Sequence, residues 1–107
     1  MNEDLEKHIP LTESTYYILL SLTESIHGYG IMQKVNEMSE GTVKLGPGTL
    51  YGALGKLKKE GFIEEIADET DSKRKNYVVT DLGKELMEIQ HHRLKILYEN
   101  SAKIFEG

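Results

Sequence analysis

From Thr12 to about Ser25, the apolar residues Tyr16, Leu19, Leu20 and Leu22 recur at the three- and four-residue spacing of one helix face. Thr12 stands where its side chain can cap that helix. The stripe is broad and predicts a largely buried element. His27-Gly28-Tyr29-Gly30 interrupts it, and two glycines in four residues predict a tight turn, because glycine reaches backbone angles that other residues avoid. Ile31, Val35 and Met38 then repeat at i, i+4 and i+7, predicting a second helix stopped by Gly41 after Ser39-Glu40. Thr42 to Leu45 is short and partly β-branched and predicts a minor strand. Gly46-Pro47 reads as a helix start, since proline is favoured at the first helical position. The third helix is expected over Pro47 to Glu60, with Leu50, Leu54 and Leu57 as its inward stripe and Gly61 as its stop.

Two strands are predicted next, Phe62 to Ile66 and Lys75 to Thr80, with Tyr77 and Val79 alternating in the second. The polar stretch Ala67 to Arg74 between them makes a hairpin with a long charged tip. Thr80 caps a last helix running from Asp81 toward Phe105, whose apolar residues include Leu82, Leu86, Ile89, Ile96, Leu97 and Ile104. At about 1.5 Å per residue this helix exceeds roughly 30 Å. Its far half overshoots a small domain and must meet a partner chain or stay in water. Helix, helix, helix, hairpin, long helix is the order of a winged helix-turn-helix. The expected fold is therefore mainly α (α+β): a winged helix-turn-helix over residues 1–80 and a dimerisation helix over 81–107, forming one compact unit.

Composition narrows the picture. A chain of 107 residues is one domain, with little room for a separate catalytic domain. With 38% hydrophobic and 29% charged residues it is too apolar to be disordered. The absence of cysteine excludes disulfides and thiolate metal sites. No apolar run approaches the roughly 20 residues of a membrane span, and Met1 to Pro10 is too acidic and polar for a signal peptide. A cytoplasmic protein without membrane contact is expected. No Ser-His-Asp set and no phosphate-cradling loop has a convincing context, so no catalytic residue and no cofactor is expected. His91 and His92 are adjacent in a helix and point to different faces, which makes a poor metal site.

A net charge of −5 argues at first against nucleic acid, whose phosphates must be neutralised. Its distribution reverses the inference. Lys44 to Lys59 carries four bases and no acid, and Lys73, Arg74 and Lys75 form a second basic block, whereas Met1 to Val43 and Glu60 to Asp71 are strongly acidic. In a winged fold Lys44, Lys56, Lys58 and Lys59 lie on or beside the third helix, the basic triplet lies at the wing, and both face one duplex. Acidity elsewhere penalises binding through any other surface.

Helical geometry places Gly48, Gly52, Gly55 and Lys59 on the outward face of the third helix, with Tyr51 and Lys56 on its flanks. Each interior glycine costs roughly 1 kcal/mol relative to alanine, so a stripe of them is unexpected on a solvated helix. A smooth face lets the helix sit deep in the groove while Thr49, Tyr51 and Lys56 reach bases or phosphates. Each of these residues also has a plainer reading: Tyr51 as a half-buried bridge between helix and wing, Tyr29 as a packing residue at a helix start, the basic triplet as a solvated turn, and His27 as a packing or capping group.

The run His27-Gly28-Tyr29-Gly30-Ile31, then Leu45-Gly46-Pro47-Gly48-Thr49-Leu50-Tyr51-Gly52-Ala53-Leu54, Lys56-Leu57 and Glu60-Gly61, closely resembles regulators of the PadR family. So does the closing stretch of Arg74-Lys75, Tyr77, Thr80 and Gly83. The length resembles the family's short subfamily with a single C-terminal helix. Ser72-Lys73 stands where the family often has Gly-Arg, Asn76-Tyr77 where it often has paired tyrosines, and Gly55 where a longer side chain is common. There is no tryptophan, the residue on which some relatives stack flat aromatic ligands. The resemblance implies a homodimer held by the last helix, binding double-stranded DNA at promoters, usually as a repressor, with release by a small molecule in some members. The implied contacts are Tyr29, Lys44, Gly48, Thr49, Tyr51, Gly52, Lys56, Lys59, Lys73, Arg74 and Lys75 on DNA, and Leu86, Ile89, Arg93, Ile96, Leu97 and Ile104 in the dimer seam. An apolar or aromatic effector would lie beside that seam, near Tyr16, Leu94 and Tyr98. In a twofold dimer the third helices lie about 34 Å apart and read a pseudo-palindromic site. The competing expectation is a winged-helix protein-interaction module without DNA binding, which would expose apolar residues where this chain has glycine and lysine.

Overall fold

A computed structural model describes residues 3–71 and 73–107; Met1, Asn2 and Ser72 lie outside the described residues. The elements are α1 (Glu3–Glu6), α2 (Glu13–Ser21), β1 (Ile26–His27), α3 (Gly28–Met38), α4 (Pro47–Lys59), β2 (Ile63–Ala67), β3 (Lys75–Val79) and α5 (Asp81–Phe105). The three strands form one antiparallel sheet in the order β1-β3-β2. This is the mainly helical winged arrangement that the element order predicts.

Local chemistry sets most boundaries. The Thr12 hydroxyl accepts the Thr15 amide at 3.1 Å and caps α2. Helix α2 stops at Ser21 instead of near Ser25, because the Leu22 carbonyl accepts the Val79 amide at 2.9 Å and is drawn into the sheet. Two residues of β1 then pair with β3, Ile26 opposite Tyr77 and His27 opposite Asn76. The expected tight turn at His27 to Gly30 is instead a helix start: His27 is the N-cap residue, with no side-chain cap bond, and Gly28 and Gly30 lie in the first turn of α3.

The minor strand expected over Thr42 to Leu45 is absent among the described residues. The buried Ser39 hydroxyl takes the amide of buried Val43 at 3.0 Å, so the backbone here is satisfied through a side chain and not through a ladder. Pro47 opens α4, and Leu50, Leu54 and Leu57 bury its inner face. Gly61 ends it at φ +84°, where the Phe62 amide reaches back to the Leu57 carbonyl at 3.0 Å, a turn that favours glycine.

In the hairpin, β2 and β3 run in register from Ile63 opposite Val79 to Ala67 opposite Lys75, and Ile63, Tyr77 and Val79 enter the core. Phe62 is fully buried beside them. At the hairpin base, Thr80 accepts the Gly83 amide at 3.1 Å as the cap of α5 and donates its hydroxyl to the Gly61 carbonyl at 2.7 Å. The end of α4, the wing and the start of α5 are thereby tied together.

Helix α5 has two halves. Leu86 and Gln90 are buried, and the Gln90 side-chain oxygen accepts the Leu11 amide at 2.8 Å. From His91 onward every residue except Ala102 is exposed through Gly107, so the helix leaves the body and gives the chain its 52 Å long dimension. The short α1, which no periodic pattern announced, is anchored by buried Leu5. Just after it, His8 stacks edge-on against Phe62 and lies 3.1 Å from the Glu60 carboxylate. Among the described residues no helix is long and apolar enough to cross a membrane.

Candidate nucleic-acid interface

Helix α4 shows four distinct strips. Its leucine strip faces the core. The opposite strip carries Gly48, Gly52 and Gly55, and a Cβ built on any of the three meets no other atom within 4 Å. Nothing inside the chain requires these glycines, yet each lowers helix stability by about 1 kcal/mol relative to alanine. The strip is thus open to close approach from outside the chain.

A third strip carries Tyr51 and Lys58 and faces the wing. The Tyr51 phenol lies across Gly28: a Cβ at Gly28 would fall 2.9 Å from Tyr51 Cζ and closer still to its hydroxyl. The glycine at 28 thus leaves room for the Tyr51 ring to lie over the head of α3, and a larger residue there would push the phenol aside. A Cβ at Gly30 would sit 2.8 Å from the Ile26 side chain, which would have to shift. Tyr51 keeps half its surface exposed, at 51%, and Tyr29 is still more open at 62%. Tyr51 thus packs one side over Gly28 at the head of α3 and leaves the other open.

Tyr29 and Tyr51 line a cleft of about 400 Å³ together with Lys73, Arg74, Lys75, Tyr77, His27, Gly28 and Asp71. The head of α3, the middle of α4 and the wing therefore meet in a single concavity. A second junction joins α4 to the wing, where Glu65 Oε1 stands 3.5 Å from Lys58 Nζ and 3.8 Å from Lys75 Nζ. One lysine comes from α4 and the other from β3, so cations from the two basic blocks share one carboxylate. Burial pushes the Tyr77 phenol up from its ordinary pKa, helped by the negative charge of Glu65 and then by Tyr51.

The wing tip is built on Asp68, whose carboxylate accepts the Thr70 amide at 2.8 Å, the Thr70 hydroxyl at 2.7 Å and the Asp71 amide at 3.3 Å. These bonds, the Thr70 side chain first, hold its pKa below the ordinary carboxylate value. The Asp71 carboxylate accepts the Lys73 amide at 3.0 Å. The tip is thus shaped without apolar packing.

The remaining predicted contacts are placed separately. Lys44, Thr49 and Lys59 are exposed on or just before α4. Lys56 turns away from the wing and lines a groove on the opposite flank with Thr12, Ala53, Glu60 and other residues. Sequence reasoning singled out neither the Gly28 seat nor Glu65 and Tyr77 as parts of the site. Lys58 was read as part of the basic block, but its pairing with Glu65 was not.

On α5 the predicted seam divides. Leu86 is fully buried in the core of its own chain and cannot face a partner; the same periodicity serves the intrachain core at this point. Ile89 packs half-buried against that core. Arg93, Ile96, Leu97 and Ile104 are exposed, as are Leu94, Tyr98 and Phe105. Of the residues linked to an effector, Tyr16 is half-buried with its hydroxyl 3.5 Å from the Met87 carbonyl, and burial raises its pKa. Leu94 lines a shallow depression of about 370 Å³ with Pro10, Gln90, Arg93, Ile96, Leu97 and Asn100. Tyr98 instead donates to the Glu106 carboxylate at 2.7 Å. Its backbone is about 16 Å along the helix from Met87, so Tyr16 and Tyr98 do not meet within one chain.

Against known proteins, residues 11–89 match the profile of the transcriptional regulator PadR-like family. The chain is similar to a PadR-like transcriptional regulator from Bacillus cereus, with 25% identity, a TM-score of 0.73 and coverage of 98% of this chain and 99% of that one. It is also similar to a PadR family transcription regulator from Clostridium difficile, with 28% identity, a TM-score of 0.67 and coverage of 87% and 98%. A stretch of 91 residues is 31% identical to an uncharacterised protein from a Streptomyces fradiae transposon, taking in 84% of this chain and 24% of that protein. The chain thus spans about a quarter of the length of that curated relative.

Proposed function

The chain belongs to the PadR-like family of transcriptional regulators, and on that footing we propose that it is a sequence-specific DNA-binding repressor acting in the cytoplasm as a twofold homodimer. Helix α4 enters the major groove with its glycine strip against the base edges, and the wing cations grip the flanking phosphates. The observation that carries this reading is the convergence of Tyr29, Tyr51 and the Lys73-Arg74-Lys75 block on one cleft beside a helix face that is bare for no internal reason. A protein-interaction module would expose apolar side chains there, and the exposed apolar residues of this chain lie mainly on α5.

Two α5 helices, each with its exposed half covered by the other chain, would set the α4 pair about 34 Å apart for a pseudo-palindromic promoter site. A gel shift with DNA from upstream of the protein's own gene tests the function: a discrete complex surviving excess unrelated duplex is expected, and none would form with a pure interaction module. Replacing Lys73, Arg74 and Lys75 together with alanine removes three cations per subunit. The slope of log affinity against log salt is then expected to fall by about five units per dimer. An unchanged slope would place the wing away from DNA.

Release by a small apolar or aromatic molecule completes the proposed cycle. The depression beside Leu94 becomes enclosed only when a second α5 covers it, which favours a ligand held between chains. A panel of phenolic and drug-like compounds should contain at least one that raises the melting temperature and frees DNA. A panel inert in both assays would remove the effector from the account.

A further inference from the structure

Building on the DNA-binding reading above, we propose that Glu65 is an internal competitor for phosphate that sets the strength and salt sensitivity of the interface by holding Lys58 and Lys75. Its Oε1 lies 3.5 Å from one ammonium and 3.8 Å from the other, and the two lysines come from the groove-entering helix and the wing. Exposure is unequal: the Glu65 side chain is 26% exposed, against 52% for Lys58 and 64% for Lys75. The more exposed cations can reach outward to a phosphate while the carboxylate, on the strand beside Tyr77, stays behind them.

Long, exposed ion pairs of this kind are weak and easily exchanged. A phosphate arriving in front of the lysines takes over their charge, and Glu65, left behind them, repels the phosphate it faces. The net cationic charge felt by DNA is therefore smaller than the number of lysines and arginines on this face. Register explains why Glu65 alone has this position. It lies opposite Tyr77 on the sheet face turned toward α4, whereas Glu64 lies opposite Val78 on the other face. Asp71, the carboxylate that does line the cleft, is occupied with the Lys73 amide in the wing tip.

The test compares wild type, Glu65→Gln and Glu64→Gln by fluorescence anisotropy on a labelled duplex of arbitrary sequence, long enough for two half-sites at about 30 base pairs. Both variants change net charge equally, and both are checked for an unchanged melting temperature. Glu65→Gln is expected to bind several-fold more tightly, with a salt slope steeper by about two units per dimer, while Glu64→Gln stays near wild type. Unchanged or weaker binding by Glu65→Gln would overturn the proposal, as would an equal gain from Glu64→Gln, since net charge alone would then suffice. If none of the three proteins binds any duplex, the DNA-binding reading itself falls and takes this proposal with it; a wild type that binds while Glu65→Gln gains nothing removes only the role of Glu65.

Discussion

Gly52→Ala is expected to make the protein more stable, and Gly52→Leu is expected to make it nearly blind to its operator. A Cβ at this position meets nothing within 4 Å, so alanine adds helix propensity without a clash. The gain should be about 1 kcal/mol, visible as a higher melting temperature. Leucine also fits the free protein, since its side chain projects from an exposed strip into open space. On DNA it would hold the backbone of α4 off the base edges. Specific affinity typically exceeds non-specific affinity by about a thousandfold or more, and a helix that cannot seat loses that margin while keeping its phosphate contacts. The expected pattern is a loss of more than about tenfold on operator DNA with little change on unrelated duplex. Full operator affinity in a well-folded Gly52→Leu protein would mean that this face does not enter the groove.

Charging the free half of α5 should divide the protein into single subunits. Leu97 and Ile104 are 65% and 76% exposed, and two aspartates there, Leu97→Asp with Ile104→Asp, place charge where the second chain must pack. Sedimentation should show a monomer whose core still melts cooperatively. Operator affinity should drop by about 100-fold or more, because two half-sites no longer act through one linked body. Leu86→Ala is the instructive contrast. Leu86 is sealed inside its own chain, so this change should cost about 2–5 kcal/mol of fold stability without acting through the seam. A doubly charged variant that remained dimeric would move the interface elsewhere.

Much of the fold was legible because its signals are local. Thr12 and Thr80 cap helices by bonding amides three residues on, and Pro47 and Gly61 bound α4. The last helix was readable from Asp81 to Phe105 for the same reason. What was not legible depends on residues far apart in the chain. Nothing within Ile26-His27 says that a partner strand waits at Asn76 and Tyr77. Two glycines in His27-Gly28-Tyr29-Gly30 suggested a turn, whereas both lie in the first turn of α3 and Gly28 sits beneath the Tyr51 phenol. Leu86 and Leu97 belong to one periodic pattern, and periodicity alone does not say which chain covers each. The site followed the same rule: charge blocks pointed to α4 and the wing, but the Glu65 link between Lys58 and Lys75 needed their three-dimensional meeting.

The central claim is that the glycine strip of α4 and the wing form one surface that DNA covers. The most direct measurement is an amide NMR titration of uniformly nitrogen-15-labelled protein with the operator duplex, in which glycine signals fall in an uncrowded region. The account predicts that the Gly48, Gly52 and Gly55 amides and those of Lys73 to Lys75 shift together and saturate at one dimer per duplex. Shifts confined to the far half of α5, with those six amides unmoved, would contradict it.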